Sequence, residues 1–432
     1  MLDLKYVLAN VEAVRRNCIH RNVPTDVRAD LDRIVELDVE RKRLLHEVES
    51  TRRRQNEVAQ AVGKEKDQAR RAELVAEGKG LKEDVGQNEE SLRRVDAEIK
   101  QKLGRVPNLT HPDAPSGQTE DQSKELRREG VPKPFDFTPK DHVEIGKALN
   151  LIDFEAGGKV SGHGFYFLKN DAVLLDLALQ QFALNTLVKY GFTPIVTPDL
   201  ARVSILEGIG FNPRGAETQV YSVENSDLCL IGTAEITLGG MHADDVFDEA
   251  ALPLKYVGVS HCFRTEAGAA GRASKGLYRV HQFTKVEMFA FTVGTLEASG
   301  AMHEQLLAIE EEIFQALEVP YRVLDICSGD LGGPAYRKFD LEAWMPGRGV
   351  GGEYGEVTST SDCTDYQARR LNIRYKPTEG KGTRFVHTLN GTAVALSRAL
   401  IAILENHQRA DGLVNVPAAL RPYFGKDVIG KA

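Results

Sequence analysis

From residue 31 to residue 103 the chain holds no proline, is dense in charge, and repeats apolar side chains every three or four positions. Ile34, Leu37, Leu44, Val48, Val58 and Val62 fit one heptad register, broken at Arg41, Thr51 and Gln55; Leu74, Leu81, Val85, Leu92, Val95 and Ile99 fit a second. GKEKD at 63–67 separates them. Neither stripe can be buried by its own helix, so the two must fold back on each other as a long antiparallel hairpin joined by a short polar turn. At ~1.5 Å per residue, the first helix would project on the order of 45 Å.

Two readings of this hairpin stand: a solvated or dimerising coiled coil, and an arm that grips a phosphate backbone. RKR at 41–43, then Arg52, Arg53 and Arg54, and then Lys64, Lys66, Arg70 and Arg71 crowd toward the tip of a chain whose net charge is -8. Phosphate binding needs Lys and Arg gathered on one surface, not a global excess, so the basic tip favours the arm.

VPNLTHPDAPSGQTEDQS at 106–123 reads as a linker, since Pro107, Pro112 and Pro115 prevent the helix from continuing. The expected division is an N-terminal domain at 1–105, the linker, and a larger domain at 124–432. In the larger part, a helical period over 171–190 leads into GFTPIVTPDL, where Pro194 and Pro198 disfavour a central strand. Strand-like runs follow at 254–264, 277–292, 354–361 and 384–389, and a helix closes the chain at 393–407. Strands outnumber the helices between them, which predicts an α+β fold: an antiparallel sheet flanked by helices, not a doubly wound parallel sheet.

The five cysteines are scattered and form no C-x-x-C pair, which favours reduced thiols in a cytoplasmic setting and gives no support to a zinc site. No apolar run approaches a membrane span, and the N-terminus lacks a signal-type apolar core. Gly347, Gly349 and Gly352 satisfy G-x-G-x-x-G but open no helix, so a glycine-rich turn is expected there.

The chemistry concentrates in FRTEAGAAGRASKGLYRVHQFTKVEMFAF at 263–291. On a strand alternate residues share a face, so Arg279, His281, Phe283, Lys285 and Glu287 point one way and Val280, Val286 and Met288 the other. The preceding run puts Val257, Val259 and Phe263 toward the core, with Gly258, Ser260 and Arg264 opposite. Paired as a hairpin, the two runs would form a floor of arginines, an aromatic ring and carboxylates around small residues. That floor suits a charged, partly planar ligand; a solvated face with cross-strand ion pairs is the alternative.

FRTEAGAAGR with GLYRVHQFTKVEMF resembles motif 2 of the class II aminoacyl-tRNA synthetases in the form used by seryl-tRNA synthetases. IGTAEI at 231–236, GEVTSTSDCTDYQARRLNIRY at 355–375 and HTLNGTAVALSRALIAILENHQ at 387–408 resemble the same family in the same order. GFTPIVTPDL resembles its motif 1, and the basic hairpin its tRNA-binding arm. The resemblance covers essentially the whole chain.

It implies an enzyme that joins L-serine to ATP, releases pyrophosphate, and transfers the seryl group to serine tRNA, and to selenocysteine tRNA where a cell has one. Arg264, Arg398 and Glu356 would be catalytic. Arg264 would bridge the serine carboxylate and the α-phosphate, and Arg398 would contact the γ-phosphate. Phe283 would stack on adenine with Arg398 on its other face, and Glu266 would accept from the adenine amine. Thr265, Arg279, Val280, Val357 and Thr358 complete the expected ATP site. Thr233, Ala234, Glu235, Glu287 and Thr392, with Arg264, would hold serine; Thr392 also stands where it could cap the closing helix.

Glu356 and Ser359 match the positions that hold ATP-bound Mg2+, a hard cation served by oxygen ligands. Residues three apart on a regular strand face opposite sides, so Ser359 rests on the resemblance alone. Gly268, Gly271 and Gly276, with Arg272 and Lys275, match the loop that meets the tRNA acceptor end. Arg52, Arg53, Arg54, Lys64 and Lys66 are the expected arm contacts. Motif 1 implies a homodimer; neither DNA nor membrane is an expected partner, and zinc is not expected. A non-catalytic binding protein would be expected to lose some of these charged residues, and a paralogue serving a carrier protein would need no arm.

Overall fold

The computed structural model describes residues 1–211, 219–266 and 275–430, which form two compact units, Met1–Pro107 and Asn108–Ala432. In the first, two short helices precede α1 (Thr25–Lys64) and α2 (Gln68–Arg105). By length α1 spans about 60 Å; it begins at Thr25, ahead of the first stripe residue, Ile34. The helix stops at Lys64 because Glu65 turns its carboxylate onto the N–H groups of Lys66 and Asp67, at 2.8 and 3.0 Å, and Asp67 then caps α2 through Arg70 N–H at 2.9 Å. Leu37, Leu44, Val95 and Ile99 form the buried seam. Arg41, the break in the first register, reaches across to Asp96 at 2.7 Å. Buried Asp30 likewise receives Lys102 and Arg105, at 2.8 and 2.7 Å.

The second unit is built on an eight-stranded sheet of β1 (Lys124–Glu129), β2 (Thr193–Val196), β3 (Leu254–Phe263), β4 (Gln282–Thr292), β5 (Tyr321–Asp325), β6 (Arg337–Met345), β7 (Glu353–Asp362) and β8 (His387–Ala395). Their spatial order is β1-β5-β6-β7-β8-β4-β3-β2. Every neighbouring pair is antiparallel except β2 with β3, where the proline-bearing strand occupies the edge. The stretch expected as a linker is stitched to this unit: His111 N–H donates to Tyr336 O, Ser328 N–H to Pro115 O, and the Asn108 amide to Cys363 O.

Helices α3 (Asp171–Lys189), α4 (Leu296–Ala316) and α5 (Leu396–Asn406) supply Leu175, Leu179, Leu306, Ile313 and Leu400 to one core with Val257, Val286, Met288 and Leu341 of the sheet. Phe289 and Phe291 lie in a second cluster with Leu206, Ile209 and Leu238. β4 is therefore buried on both faces toward its C-terminal end, which explains the unbroken apolar end of VEMFAF. The 347–352 glycines form the loop joining β6 to β7, as the absence of a following helix predicted.

Two boundaries differ from the sequence expectation. β4 starts at Gln282, five residues later than the apolar pattern suggested, and β8 runs on to Ala395, so the closing helix begins only at Leu396. Small and β-branched residues in GTAVA let the strand continue where helical spacing had been read.

Candidate active site

β7 and β8 pair only at Thr360↔Gly391, Ser361↔Asn390 and Asp362↔Leu389. Away from this short ladder the two strands part, and the fork opens a cavity of about 450 Å³. Glu356, Val357, Thr358 and Ser359 line it from one prong, Thr392 and Ala395 from the other, Ser397 and Arg398 from the first turn of α5 just beyond it, and Phe283, Lys285 and Glu287 from β4.

The register explains the β4 contribution. Gly258 opposes Glu287 and Ser260 opposes Lys285, so two small residues leave room above the charged pair. Glu287 is 2% exposed, with Lys285 Nζ 2.7 Å from its Oε2 and the Thr392 hydroxyl donating to the same oxygen at 3.1 Å. Thr392 thus faces the cavity and is no helix cap, because Ala395 holds that place before α5.

Thr233 and Glu235 stand where the short helix Glu235–Gly240 begins, and both line the cavity. That helix settles over Gly258, where a Cβ would come 2.8 Å from Ala234 Cβ. Ala234 itself is fully buried and does not line the cavity, and neither does Thr265, whose N–H donates to Gln219 O. The Glu235 carboxyl accepts from Gln367 and Asn390 at 2.7 and 2.9 Å. Burial, followed by the charge of Glu287, pushes it up to about 7 against those hydrogen bonds and Lys285.

A β-bulge resolves how Glu356 and Ser359 share a wall. Leu341 pairs with Thr358 but Glu342 with Glu356, which leaves Val357 as the extra residue and shifts the side-chain alternation by one. Both residues line the cavity. Burial opposes ionisation of Glu356, yet Arg398, Lys338 and Arg264 outweigh it and hold the carboxyl well below the usual carboxylate range. Arg398 Nη1 lies 3.1 Å from Glu356 Oε1, and its guanidinium sits 4.8 Å from the Tyr278 ring centre. Arg264 sits over Phe283 at 5.5 Å and points its donors at Gly232 O. Arg279 stands 3.6 Å from Glu266, which has a positive φ of 52°.

One expected alternation fails. His281 does not line the cavity but stacks on Phe165 and bonds the Tyr221 hydroxyl at 2.6 Å, whereas Val280 does line it. Residues 279–281 precede β4, so strand parity does not apply to them. Tyr278, Asn390, Lys338 and Gln367 join the site beyond the residues expected from the sequence, and Lys285, expected on its floor, pairs with Glu287. Asn390 was within reach, two residues from Thr392 on one strand face; Lys338 and Gln367 arrive through topology that spacing does not carry.

Of the expected tRNA contacts, Arg52 and Arg54 pair with Glu89 and Glu77 of α2. Arg53, Lys64 and Lys66 form no ion pair among the described residues. Lys275 is tied to Asp141, and Arg272 lies outside the described residues. All five cysteines are buried and unbridged. Among the described residues no helix is long and apolar enough to cross a membrane.

A family model described as "Seryl-tRNA synthetase N-terminal domain" matches residues 1–110, and one described as "tRNA synthetase class II core domain (G, H, P, S and T)" matches 219–407. The chain is 58% identical to a serine–tRNA ligase of Rubrobacter xylanophilus, with all of both chains covered. It is 57% identical to that of Rhodopirellula baltica, with 99% of each covered. Among solved structures, a seryl-tRNA synthetase from Pyrococcus horikoshii complexed with ATP superposes with a TM-score of 0.93 at 42% identity, covering 99% of both chains.

Proposed function

The chain belongs to the seryl-tRNA synthetase family of class II aminoacyl-tRNA synthetases, and from that premise we propose how its cavity selects serine and activates it. The overall reaction is the family's: serine and ATP give seryl-adenylate and pyrophosphate, and the seryl group then passes to serine tRNA.

The observation that carries the site reading is the arrangement of charge in one cavity. Glu287, buried with Lys285 and Thr392, offers a small polar pocket, while Arg264 and Arg398 stand in the same space. Serine fits the pocket with its ammonium toward Glu235 and Glu287 and its hydroxyl within reach of Thr233 and Thr392. A pocket built to hydrogen-bond a hydroxyl disfavours alanine because its polar groups would be left unpaired, and the tight surroundings of Thr392 disfavour the extra methyl of threonine.

The serine carboxylate is ionised near neutrality and needs no strong base. Its oxygen attacks the α-phosphorus as the bond to pyrophosphate breaks, and the negative charge that develops is held by fixed cations. Arg264 serves the carboxylate and α-phosphate, and Arg398 the γ-phosphate. Phe283 stacks on adenine and Glu266 accepts from its amine. In the second step the terminal ribose hydroxyl attacks the seryl carbonyl and AMP departs.

The oxygen donors of Glu356 and Ser359 suit Mg2+, since the bulge puts both on one wall and the neighbouring cations keep Glu356 anionic. Mg2+ bound there would neutralise phosphate charge. The arm carries tRNA, with Arg53, Lys64 and Lys66 among the cations that form no ion pair within the described residues. A homodimer acting in the cytoplasm completes the reading; the dimer is supported by the exposed edge of β2, where Val196 is 85% exposed, and by Leu177, 55% exposed on α3.

Glu287→Ala tests the site directly. Serine-dependent ATP–pyrophosphate exchange should vanish while the variant stays folded; unchanged exchange would remove Glu287 from the serine pocket.

A further inference from the structure

We infer that Gln367 is a positioning residue for serine recognition: its side-chain amide fixes the Glu235 carboxyl so that one oxygen is presented to the substrate ammonium. Gln367 is fully buried on the short helix Tyr366–Leu371 and does not line the cavity. Both N–H groups of its amide and its carbonyl oxygen are engaged. One N–H donates to Glu235 Oε1 at 2.7 Å and the other to Ile209 O at 3.0 Å, while the Thr388 hydroxyl donates to its Oε1 at 2.6 Å.

Ile209 is the last residue of the helix Val203–Ile209, and its carbonyl can only accept. That carbonyl sets which end of the amide faces Glu235, and Thr388 on β8 locks the opposite end. A second donor, Asn390 Nδ2, reaches the same Glu235 Oε1 at 2.9 Å. Two donors therefore saturate one carboxyl oxygen, and Glu235 Oε2 is left for a ligand. The amide joins three elements: the helix ending at Ile209, the helix beginning at Glu235, and β8. A carboxylate on the first turn of a six-residue helix would otherwise be free to change rotamer.

The inference rests on reading Glu235 as the acceptor of the serine ammonium, so the test separates the two. Gln367→Leu keeps the volume and removes the donors; Thr388→Val is a milder variant that unlocks the amide without removing it. Serine KM in ATP–pyrophosphate exchange should rise roughly tenfold in Gln367→Leu and severalfold in Thr388→Val, with kcat and the ATP KM changing less than about twofold. 3-Hydroxypropionate, which lacks the amine, should inhibit wild type and both variants with the same constant.

Glu235→Gln serves as the reference. If it raises the serine KM and folded Gln367→Leu and Thr388→Val do not, Gln367 has no positioning role although the amine site stands. If Glu235→Gln leaves the serine KM unchanged, the reading of Glu235 itself fails. Equal weakening of serine and 3-hydroxypropionate in the Gln367 and Thr388 variants would mark a general packing defect and overturn the inference.

Discussion

Arg398 Nη1 donates to the main-chain carbonyl of Glu356 and forms an ion pair with its carboxylate, at 3.1 Å each, and so ties the start of α5, just past β8, to β7. The two strands share only three paired positions. The cation therefore does two things: it holds the prongs of the cavity together, and it keeps Glu356 ionised against burial.

Replacing Arg398 by Ala should lower kcat/KM for ATP–pyrophosphate exchange by about 100-fold or more, the scale of losing a preorganised charge in a buried site. Arg398→Lys should recover little, because an ammonium cannot reach two acceptors while lying flat against Tyr278. Steady-state exchange kinetics on the two variants check this, and wild-type-like rates in Arg398→Lys would show that charge alone suffices.

Glu235 gives a pH signature. Burial raises its carboxyl to about 7, above the ordinary carboxylate range, so the folded protein keeps a proton that the unfolded chain has lost. Between the ordinary value and about 7, stability contributed at this position falls as pH rises. Glu235→Gln should therefore melt higher than wild type at pH 8 in the absence of substrate, with the gap closing toward pH 5. Serine binding should run the other way, tightening in wild type as pH rises through about 7 and Glu235 becomes anionic. Thermal melts and serine titrations at four or five pH values separate the two trends.

Gly258 is where the helix beginning at Glu235 rests on the sheet. A methyl group there would stand 2.8 Å from Ala234 Cβ and 3.0 Å from Leu238 Cδ1, so the helix bearing Glu235 would have to lift. Gly258→Ala should cost about 1 to 3 kcal/mol, the usual range for overpacking. It should also raise the serine KM more than the ATP KM, which denaturant unfolding and exchange kinetics measure together.

On the arm, the triple substitution of Arg53, Lys64 and Lys66 by Gln should weaken tRNA charging and flatten its salt dependence, since each lost phosphate contact removes about 0.7 to 0.9 from the log–log slope. Pyrophosphate exchange should be unaffected. Arg52→Gln and Arg54→Gln should act less on tRNA, because those side chains already answer Glu89 and Glu77.

The long hairpin was legible because a heptad stripe and a polar turn leave one economical solution. The α+β class followed from the count of strands, and the hairpin of β3 and β4 from its alternation. What spacing could not supply came from irregularity and from distance along the chain. The bulge at Val357, which brings Glu356 and Ser359 to one wall, has no signature in VTSTS. His281 was misread because parity was extended past the start of a strand. Lys285 was visible on the correct face, but its partner, Glu287 on the same strand, gains its meaning only from Thr392 across the ladder. Gln367 meets Glu235 across 132 positions of sequence, where periodicity is silent.

The most direct measurement is amino-acid-dependent ATP–pyrophosphate exchange with serine, threonine and alanine, followed by transfer to purified serine tRNA. Strong exchange with serine, weak exchange with the other two, and charging of the tRNA are expected. Exchange without charging, or equal exchange with all three amino acids, would contradict the assignment of the cavity and the arm to one aminoacylation reaction.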